Sequence, residues 1–94
     1  MPLVFEWDAK KARTNRRKHE VSFDGACTVF DDPLAAIFAD EDHSAGEPRE
    51  IIIGYSILKR LVLVRFTERP GNRVRVFSAR RATPQEQKNH EDYV

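Results

Sequence analysis

The sequence predicts an α+β domain in which two N-terminal helices and one C-terminal helix pack against a small, mostly antiparallel sheet. Apolar residues recur with a helical period of about 3.6 residues before Asp31, and strand-like segments occupy the chain from Leu34 to Ala79. These segments follow one another without an intervening helix, which favours antiparallel pairing. The chain has 94 residues, so residues 1–94 are assigned to a single domain with a small core.

Two helix signals follow a short β-prone segment at the N-terminus. The run LVFEW, Leu3 to Trp7, is rich in the aromatic and branched residues that favour strands. Asp8 then provides an N-cap for a helix over residues 9–18, and Ser22 provides one for a second helix. The apolar residues of the second helix share one face: Phe23, Ala26, Cys27 and Phe30. This helix is expected to end at Asp31 to Pro33, because proline disfavours helical backbone in the residue before it.

Four strand patterns and a final helix signal fill the rest of the chain. The predicted strands are Leu34 to Ala39, Glu50 to Ile57, Leu61 to Arg69 and Arg73 to Ala79. A polar loop over residues 40–48 separates the first two, and the sequence PGN at 70–72 predicts a short hairpin loop between the last two. Thr83 as N-cap, Pro84 at the first helical position and Glu86 as capping-box partner predict the C-terminal helix. That helix is almost wholly polar, so it is expected to dock weakly or to meet a partner.

The last hairpin is predicted to carry an arginine-rich face. Its expected pairs are Arg69 with Arg73, Thr67 with Arg75, Arg65 with Phe77, Phe66 with Val76, and Val64 with Ser78. One face is then apolar and buried: Val62, Val64, Phe66, Val74 and Val76. The opposite face gathers Arg65, Arg69, Arg73 and Arg75. A slip of one residue would mix the two sets, so the hydrophobic pattern selects this register. Clustered guanidinium groups repel one another and match the oxygens of a phosphate, which indicates an anion-binding surface.

Charge is sorted into blocks along the chain. Residues 9–19 carry six cations and no acid, residues 20–50 carry nine acids against the single Arg49, and residues 51–81 carry eight cations against Glu68. The net charge is only +1, which argues against a general nucleic-acid binder, because such affinity grows with the number of neutralised phosphates. It argues less against an enzyme that engages a nucleic acid through one local patch.

Cysteine content and hydropathy indicate a cytoplasmic protein. Cys27 is the only cysteine, so no internal disulfide is expected. The sequence shows no leader and no long apolar run, so neither secretion nor a membrane span is expected. Cys27 lies on an apolar helix face, which indicates packing rather than nucleophilic chemistry. His43 lies in an acidic loop without the spacing of zinc or calcium ligands, so no metal site is expected.

Six motifs form a pattern through their order and spacing. They are FEWD at 5–8, NRRKHEVSF at 15–23, FDDPLA at 30–35, Arg49 before the strand from Glu50, GYS at 54–56, and RVFSARRAT at 75–83. In this pattern the chain resembles BrnT-family toxins, the ribonuclease half of bacterial type II toxin-antitoxin pairs, over nearly its whole length. Glu20 departs from the pattern, since the family usually has glycine there, and the turn after His19 is expected to differ in shape.

The resemblance implies a fold, an activity and a partner. The fold is similar to that of RelE-type toxins, with helices on one face of the sheet and an RNA-cleaving surface on the other. The implied activity is that of an endoribonuclease that needs no metal or other cofactor. It would cleave free or ribosome-associated RNA and thereby inhibit translation. The implied partner is a BrnA-like antitoxin with a ribbon-helix-helix part, and operator DNA would be bound only through the antitoxin complex.

RNA cleavage without a metal requires a base for the 2′-hydroxyl, an acid for the leaving 5′-oxygen, and cations for the charge that grows on the phosphate. The cations usually make the largest contribution. His19 is the candidate for proton transfer, because histidine exchanges protons near neutral pH. The predicted catalytic residues are Arg65, Arg75, Arg80 and His19, and the predicted RNA-binding residues are Lys18, Arg49 and Arg73.

Simpler functions fit the same residues. The cations of the first helix also fit an ordinary solvated face, and His19 also fits a residue that complements the helix dipole. A non-catalytic nucleic-acid-binding module and a module that binds an acidic protein through the basic patch therefore stay open. Trp7 lies beside apolar residues and is expected in the core rather than as a platform for stacking RNA bases.

Overall fold

A computed structural model describes residues 2–41 and 46–93 of the chain. Its elements are β1 (Val4–Glu6), α1 (Ala9–His19), α2 (Phe23–Ala26), a 3₁₀ helix (Cys27–Asp31), β2 (Ala36–Ala39), β3 (Glu50–Tyr55), β4 (Leu61–Arg69), β5 (Arg73–Arg81) and α3 (Pro84–Tyr93). These elements confirm the predicted α+β fold with two N-terminal helices and one C-terminal helix. The centre of the predicted polar loop, including His43, lies outside the described residues. No helix in the described part is long and apolar enough to cross a membrane.

The five strands form one sheet in the order β1-β5-β4-β3-β2. The neighbours from β2 to β5 pair antiparallel, as expected for strands that follow one another in the chain. β1 instead runs parallel to β5, with Val4 beside Arg73 and Glu6 beside Arg75. The two edges of the sheet are therefore β1 and β2.

The inner face of the sheet, which α1 and α2 cover, carries the main hydrophobic core. Phe66 of β4 and Phe23 of α2 are almost completely buried, and burial of a side chain of this size contributes roughly 1.5–3 kcal/mol. The ring centroid of Phe30 lies 5.0 Å from that of Phe66 and 5.1 Å from that of Phe5, so Phe30 packs between the two. Trp7 packs edge-on against Phe23 at 5.6 Å, so the expectation that it belongs to the core packing is confirmed.

Helix α1 is held to the sheet by a buried polar side chain, Asn15. The helix begins as predicted, since the Asp8 carboxylate accepts a hydrogen bond from the Lys11 backbone N–H at 3.0 Å. The Asn15 amide nitrogen donates to the carbonyls of Val21 at 3.0 Å and Ala79 at 2.8 Å. Its oxygen accepts from the Ala79 backbone N–H at 3.1 Å. Only three residues of β5 pair with β1, and Asn15 forms the hydrogen bonds of the Ala79 N–H and carbonyl further along the same edge.

The prediction of one continuous second helix is wrong in its second half. α2 ends at Ala26, and the chain continues as the 3₁₀ helix Cys27–Asp31. The Thr28 hydroxyl donates to the Gly25 carbonyl at 2.6 Å and accepts from the Ile57 backbone N–H at 2.8 Å. Such side-chain bonds compete with regular helical bonds, and glycine lowers the helix propensity of this segment further. The segment still ends just before the proline that was expected to stop it.

A β-bulge changes the predicted register of the last hairpin. The pairs of Arg69 with Arg73, Thr67 with Arg75, and Phe66 with Val76 are confirmed. The two predicted pairs beyond them are wrong, since Arg65 pairs with Ser78 and Val64 pairs with Ala79. Phe77 is the extra residue of β5 at this point, and a bulged residue of this kind changes where its side chain points. The predicted arginine face survives, because Arg65 still alternates with the buried Val64 and Phe66.

The outer face of the sheet, opposite α1 and α2, is only partly cationic. Four residues of β3 and β4 form a second buried apolar cluster there: Ile51, Ile53, Leu61 and Leu63. α3 lies over this cluster through His90, which is 4% exposed and has its ring centroid 6.1 Å from that of Tyr55. The expectation that the helices occupy one face is therefore wrong for α3. The helix is polar in sequence, yet it buries one histidine against an apolar surface.

Glu20 ends α1 in a left-handed conformation, with φ 58° and ψ 29°. Its N–H donates to the Arg16 carbonyl at 2.9 Å, in the position where helices usually have glycine. We expect Glu20→Gly to raise the free energy of unfolding by about 0.5–1 kcal/mol, because relief of side-chain strain exceeds the added entropy of the unfolded chain. Chemical denaturation of Glu20→Gly and Glu20→Ala measures this, since alanine removes the carboxylate but keeps the strain. Equal stability of the two variants would contradict the backbone explanation.

Candidate functional site

Five arginines occupy the part of the outer face next to the 70–72 hairpin loop. This cationic cluster consists of Arg49, Arg65, Arg69, Arg73 and Arg75. Thr67 lies at its centre: it pairs with Arg75 in β5, and its hydroxyl donates to the Pro48 carbonyl at 2.6 Å on the side of β3. The structure thereby brings together four of the predicted site residues: Arg49, Arg65, Arg73 and Arg75.

Three arginines of the cationic cluster are paired with carboxylates of the same chain. The nitrogen–oxygen distances are 3.2 Å for Arg65 with Asp40, 3.6 Å for Arg69 with Glu6, 3.5 Å for Arg69 with Glu47, and 3.6 Å for Arg73 with Glu6. Only Asp40 is buried, at 5% exposed, so its pair with Arg65 is shielded from water. The other pairs are partly exposed and long, and pairs of this kind contribute roughly 0–1 kcal/mol. A phosphate can therefore compete with these carboxylates for the guanidinium groups.

Arg75 differs from Arg65, Arg69 and Arg73, because no carboxylate of the described residues lies within 4.0 Å of its guanidinium. It is half-buried as the third residue of β5, near Asp8 at the start of α1. The pKa of Asp8 is lowered mainly by the hydrogen bond from the Lys11 backbone, with a smaller contribution from the positive charge of Arg75. Arg75 thus presents hydrogen-bond donors to an anion without first losing an ion pair.

Phe77 places a ring beneath the cationic cluster, which sequence reasoning missed. The guanidinium carbon of Arg49 lies 3.9 Å from the ring centroid, and the Lys11 ammonium lies 5.7 Å from it. The contact with Arg49 has the geometry of a cation–π interaction, which holds the guanidinium over a defined surface. The sequence carried no signal for this contact, because the predicted register gave Phe77 a partner in β4 and left no bulge.

Arg80 lies away from the cationic cluster and has a structural contact. Its guanidinium donates two hydrogen bonds to the Glu86 carboxylate, at 2.7 and 2.9 Å. The same carboxylate accepts from the Thr83 N–H at 2.8 Å, and the Thr83 hydroxyl accepts from the Glu86 N–H at 3.1 Å. The predicted capping box is therefore confirmed, and Arg80 ties the first turn of α3 to the end of β5.

The contact of Arg80 with Glu86 gives the stability of the fold a pH dependence. The two hydrogen bonds from Arg80 lower the pKa of Glu86 from 4.5 to about 2, against the opposing effect of its partial burial. A lowered carboxyl pKa stabilises the folded state above pH 4.5, and this contribution is lost as the pH falls to about 2. We expect the wild type to lose about 1 kcal/mol more over this range than Glu86→Gln, since the pair is partly exposed. Denaturant unfolding at pH 6 and pH 2 measures the difference, and identical pH dependence would contradict it.

Lys18 and His19 lie at the C-terminal end of α1, apart from the cationic cluster. Lys11, in the first turns of this helix, is the residue that approaches Phe77. His19 follows eight residues later, about 12 Å along the axis at a rise of about 1.5 Å per residue. The structure does not bring His19 to Arg75, so the geometry gives no support to the proton-transfer role predicted for it. The cations of α1 are exposed to solvent: Lys10, Lys11, Arg13, Arg16, Arg17 and Lys18.

The thiol and the acidic residues carry no further site in the described part of the chain. Cys27 is buried, and this burial raises the pKa of its thiol to about 12, so the thiol stays protonated and unreactive. This agrees with the packing role predicted for it. Within residues 2–41 and 46–93, no group of three His, Cys, Asp or Glu side chains is arranged to hold a metal ion.

Comparison with known proteins gives a family match and a structural match. The family model of the ribonuclease toxin BrnT, of type II toxin-antitoxin systems, matches residues 7–86. The fold is similar to the crystal structure of the Brucella abortus ribonuclease toxin BrnT, with a TM-score of 0.64 and 22% sequence identity. That alignment covers 87% of this chain and 99% of the Brucella chain. A search of curated proteins gives no significant match.

Proposed function

Because the chain belongs to the BrnT family of ribonuclease toxins of type II toxin-antitoxin systems, we propose that it is an endoribonuclease that needs no metal and inhibits translation. The observation that carries the proposal is Arg75. Its guanidinium has no carboxylate partner among the described residues, yet it lies among four other arginines on an open face of the sheet. Such a site favours a phosphodiester over a neutral ligand.

The proposed reaction is an internal transesterification of RNA. The 2′-hydroxyl gives its proton to a water molecule and attacks the adjacent phosphorus, and the bond from phosphorus to the 5′-oxygen breaks as that oxygen takes a proton from water. The products are a 2′,3′-cyclic phosphate and a 5′-hydroxyl end. Negative charge grows on the phosphate oxygens during the attack, and Arg75 is placed to stabilise it by charge-assisted hydrogen bonds.

The other predicted site residues take supporting roles in this proposal. Arg49, oriented by Phe77, and Arg73, at the hairpin end of β5, bind the phosphates that flank the cleaved one. Arg65 is held by Asp40 and adds to the local positive potential. Arg80 acts through Glu86 by holding α3 in place. Lys18 and His19, at the far end of α1, contact RNA beyond the cleaved bond, and water exchanges the protons of the reaction.

The family also implies an antitoxin as protein partner and RNA as substrate. We propose that the antitoxin is BrnA-like, with a ribbon-helix-helix part that binds operator DNA for the complex, and that the toxin acts in the cytoplasm. The basic surface supports this proposal, because it can bind either an RNA backbone or an acidic region of the antitoxin that excludes RNA.

RNA cleavage in the presence of EDTA tests the proposed function. We expect the purified protein to cleave single-stranded RNA at the same rate with and without EDTA, and to leave 2′,3′-cyclic phosphate ends. An RNA with 2′-deoxyribose at each cleaved position is the matched control, since it lacks the attacking hydroxyl and should stay intact. Salt-sensitive RNA binding without cleavage would contradict the enzyme proposal and favour a non-catalytic binding module.

A further inference from the structure

Strand β2 leaves apolar side chains at an open edge of the sheet. It pairs with β3 on one side and forms the last strand of the order on the other. Ile37 is 53% exposed and Phe38 is 49% exposed. An apolar edge strand of this kind can pair with another chain, and proteins usually protect such edges with charge or cover them. β2 has neither charge nor cover within the described residues.

A groove of about 360 Å³ runs between β2 and α3 on the outer face. Phe38 forms one side, Ile53 and Leu63 form the floor, and Asn89 and His90 form the other side. The floor belongs to the second apolar cluster, so a side chain that enters the groove meets mostly hydrocarbon. The groove therefore suits an apolar side chain of an extended polypeptide segment.

His90 gives this groove an unused polar group. The side chain is 4% exposed, and its Nε2 atom is buried without a hydrogen-bond partner among the described residues. A buried polar group that makes no hydrogen bond costs about 1–3 kcal/mol. A backbone or side-chain group that enters the groove can remove this cost by bonding to Nε2. The groove therefore fits a polypeptide segment better than a purely apolar ligand.

The groove is continuous with the cationic cluster across the sheet. Phe38 pairs with Ile51, and Ile51 pairs with Arg65. Strands lie about 4.8 Å apart, so Arg65 is about 10 Å from Phe38. Arg75 lies one strand further and opposite Thr67, two residues along, so it is about 16 Å from Phe38. An extended chain advances about 3.3 Å per residue, so about five residues span the distance from the groove to Arg75. Charge complementarity requires an acid at that end of the segment, because Arg75 has no carboxylate partner among the described residues.

We propose that this groove binds an extended segment of the antitoxin. The segment places an apolar side chain beside Phe38, donates or accepts a hydrogen bond at Nε2 of His90, and places an acidic side chain about five residues away on Arg75. The acidic side chain on Arg75 blocks the phosphate site directly. Binding in the groove holds the segment in place and so neutralises the toxin. The inference rests on the proposed function, because it assigns the partner of the same nuclease face.

Neutralisation of Phe38 variants tests the groove. Cells produce Phe38→Asp, Phe38→Ala or wild-type toxin, alone or together with the antitoxin from the toxin's own operon. Ile57→Asp, in the turn between β3 and β4 and 75% exposed, is the matched control. We expect each toxin to arrest growth alone, the antitoxin to rescue cells with wild type or Ile57→Asp, and rescue to fail for Phe38→Asp. Titration calorimetry with purified antitoxin should show at least a tenfold weaker affinity for Phe38→Ala, as for a central anchor residue.

Three results would overturn the groove assignment. One is full rescue of Phe38→Asp by the antitoxin together with unchanged affinity of Phe38→Ala. Another is a wild-type dimer in sedimentation that Phe38→Asp dissociates, which would assign the edge of β2 to a second copy of the chain. The third is loss of the folded circular dichroism spectrum only in the variants that escape neutralisation. Failure of the proposed function gives a different result. The wild-type protein would then neither cleave RNA nor arrest growth, while calorimetry would still show antitoxin binding that depends on Phe38.

Discussion

Replacing Arg75 by alanine is expected to lower the rate of RNA cleavage by about 10²–10³-fold while leaving the fold intact. Loss of one preorganised donor to a developing oxyanion costs about 2.7–4 kcal/mol in transition-state stabilisation. No carboxylate of the described residues lies within 4.0 Å of the Arg75 guanidinium, so its removal leaves no unpaired acid behind. Single-turnover cleavage of a fluorescent RNA measures the rate, and thermal unfolding checks the fold.

Arg81→Ala is the matched control for Arg75→Ala. Arg81 ends the same strand, is exposed, and pairs with the buried Val62, so it lies on the opposite face of the sheet from Arg75. Its loss removes the same charge from the protein, and we expect cleavage to change by less than about threefold, as for a distant screened charge. Retained cleavage and retained cellular toxicity of an Arg75→Ala, Arg80→Ala double variant would refute the arginine mechanism. Equal losses of cleavage rate in Arg75→Ala and Arg81→Ala would show that the effect comes from the net charge of the protein and not from the position of Arg75.

Local signals predicted the starts of the helices and the hairpin well. Asp8, Ser22 and Thr83 cap the helices that follow them, because the bonds of a cap involve residues within three positions. The register from Arg69 to Phe66 was predictable for a similar reason, since a tight loop and an alternating pattern select one pairing. Predictions of this kind need no information about distant parts of the chain.

The missed features depend on contacts between residues far apart in the sequence. The 3₁₀ helix follows from a hydrogen bond between Thr28 and Ile57, and the outer position of α3 follows from the burial of His90 over β3 and β4. The bulge at Phe77 shifts the pairing of β5 with β4 by one residue from Ser78 onward. In this part of β5 the Ala79 backbone forms hydrogen bonds with Asn15 of α1. Period and propensity do not encode such pairings, so a polar residue such as Asn15 carries no sign in the sequence that it will be buried.

The charge blocks of the sequence gain a physical meaning in the fold. The acidic block supplies Asp40 and Glu47 as counter-ions for Arg65 and Arg69 in the second basic block. The arginine face is thereby partly neutralised within the chain, which lowers the repulsion among its guanidinium groups. Sequence analysis predicted the arginine face but not its carboxylate partners, because the pairing depends on how the chain returns after β2. Arg75 has no such counter-ion among the described residues, so its guanidinium stays open to an anion.

Asn15→Ala is expected to lower the free energy of unfolding by about 3 kcal/mol, the largest stability effect of the proposed variants. The substitution leaves the N–H and the carbonyl of Ala79 and the carbonyl of Val21 without their buried partner, and each such group costs about 1–3 kcal/mol. A protein of this size loses about 4–8 °C in melting temperature per kcal/mol, so a decrease of about 15 °C is expected. Calorimetry measures it, with Thr14→Ala, an exposed neighbour on the same helix, as control.

Asn15→Asp separates the hydrogen bonds of Asn15 from its packing. Aspartate has nearly the same shape and keeps an oxygen for the Ala79 N–H, but its second oxygen faces the carbonyls of Val21 and Ala79 where the amide had donated. If the bonds hold α1 to β5, Asn15→Asp is at least as unstable as Asn15→Ala at neutral pH, and it recovers stability at low pH as the carboxyl gains a proton that can donate. If shape alone matters, Asn15→Asp resembles the wild type at every pH. Because α1 carries Lys11 to the edge of the cationic cluster, loss of these bonds would also displace part of the proposed RNA site.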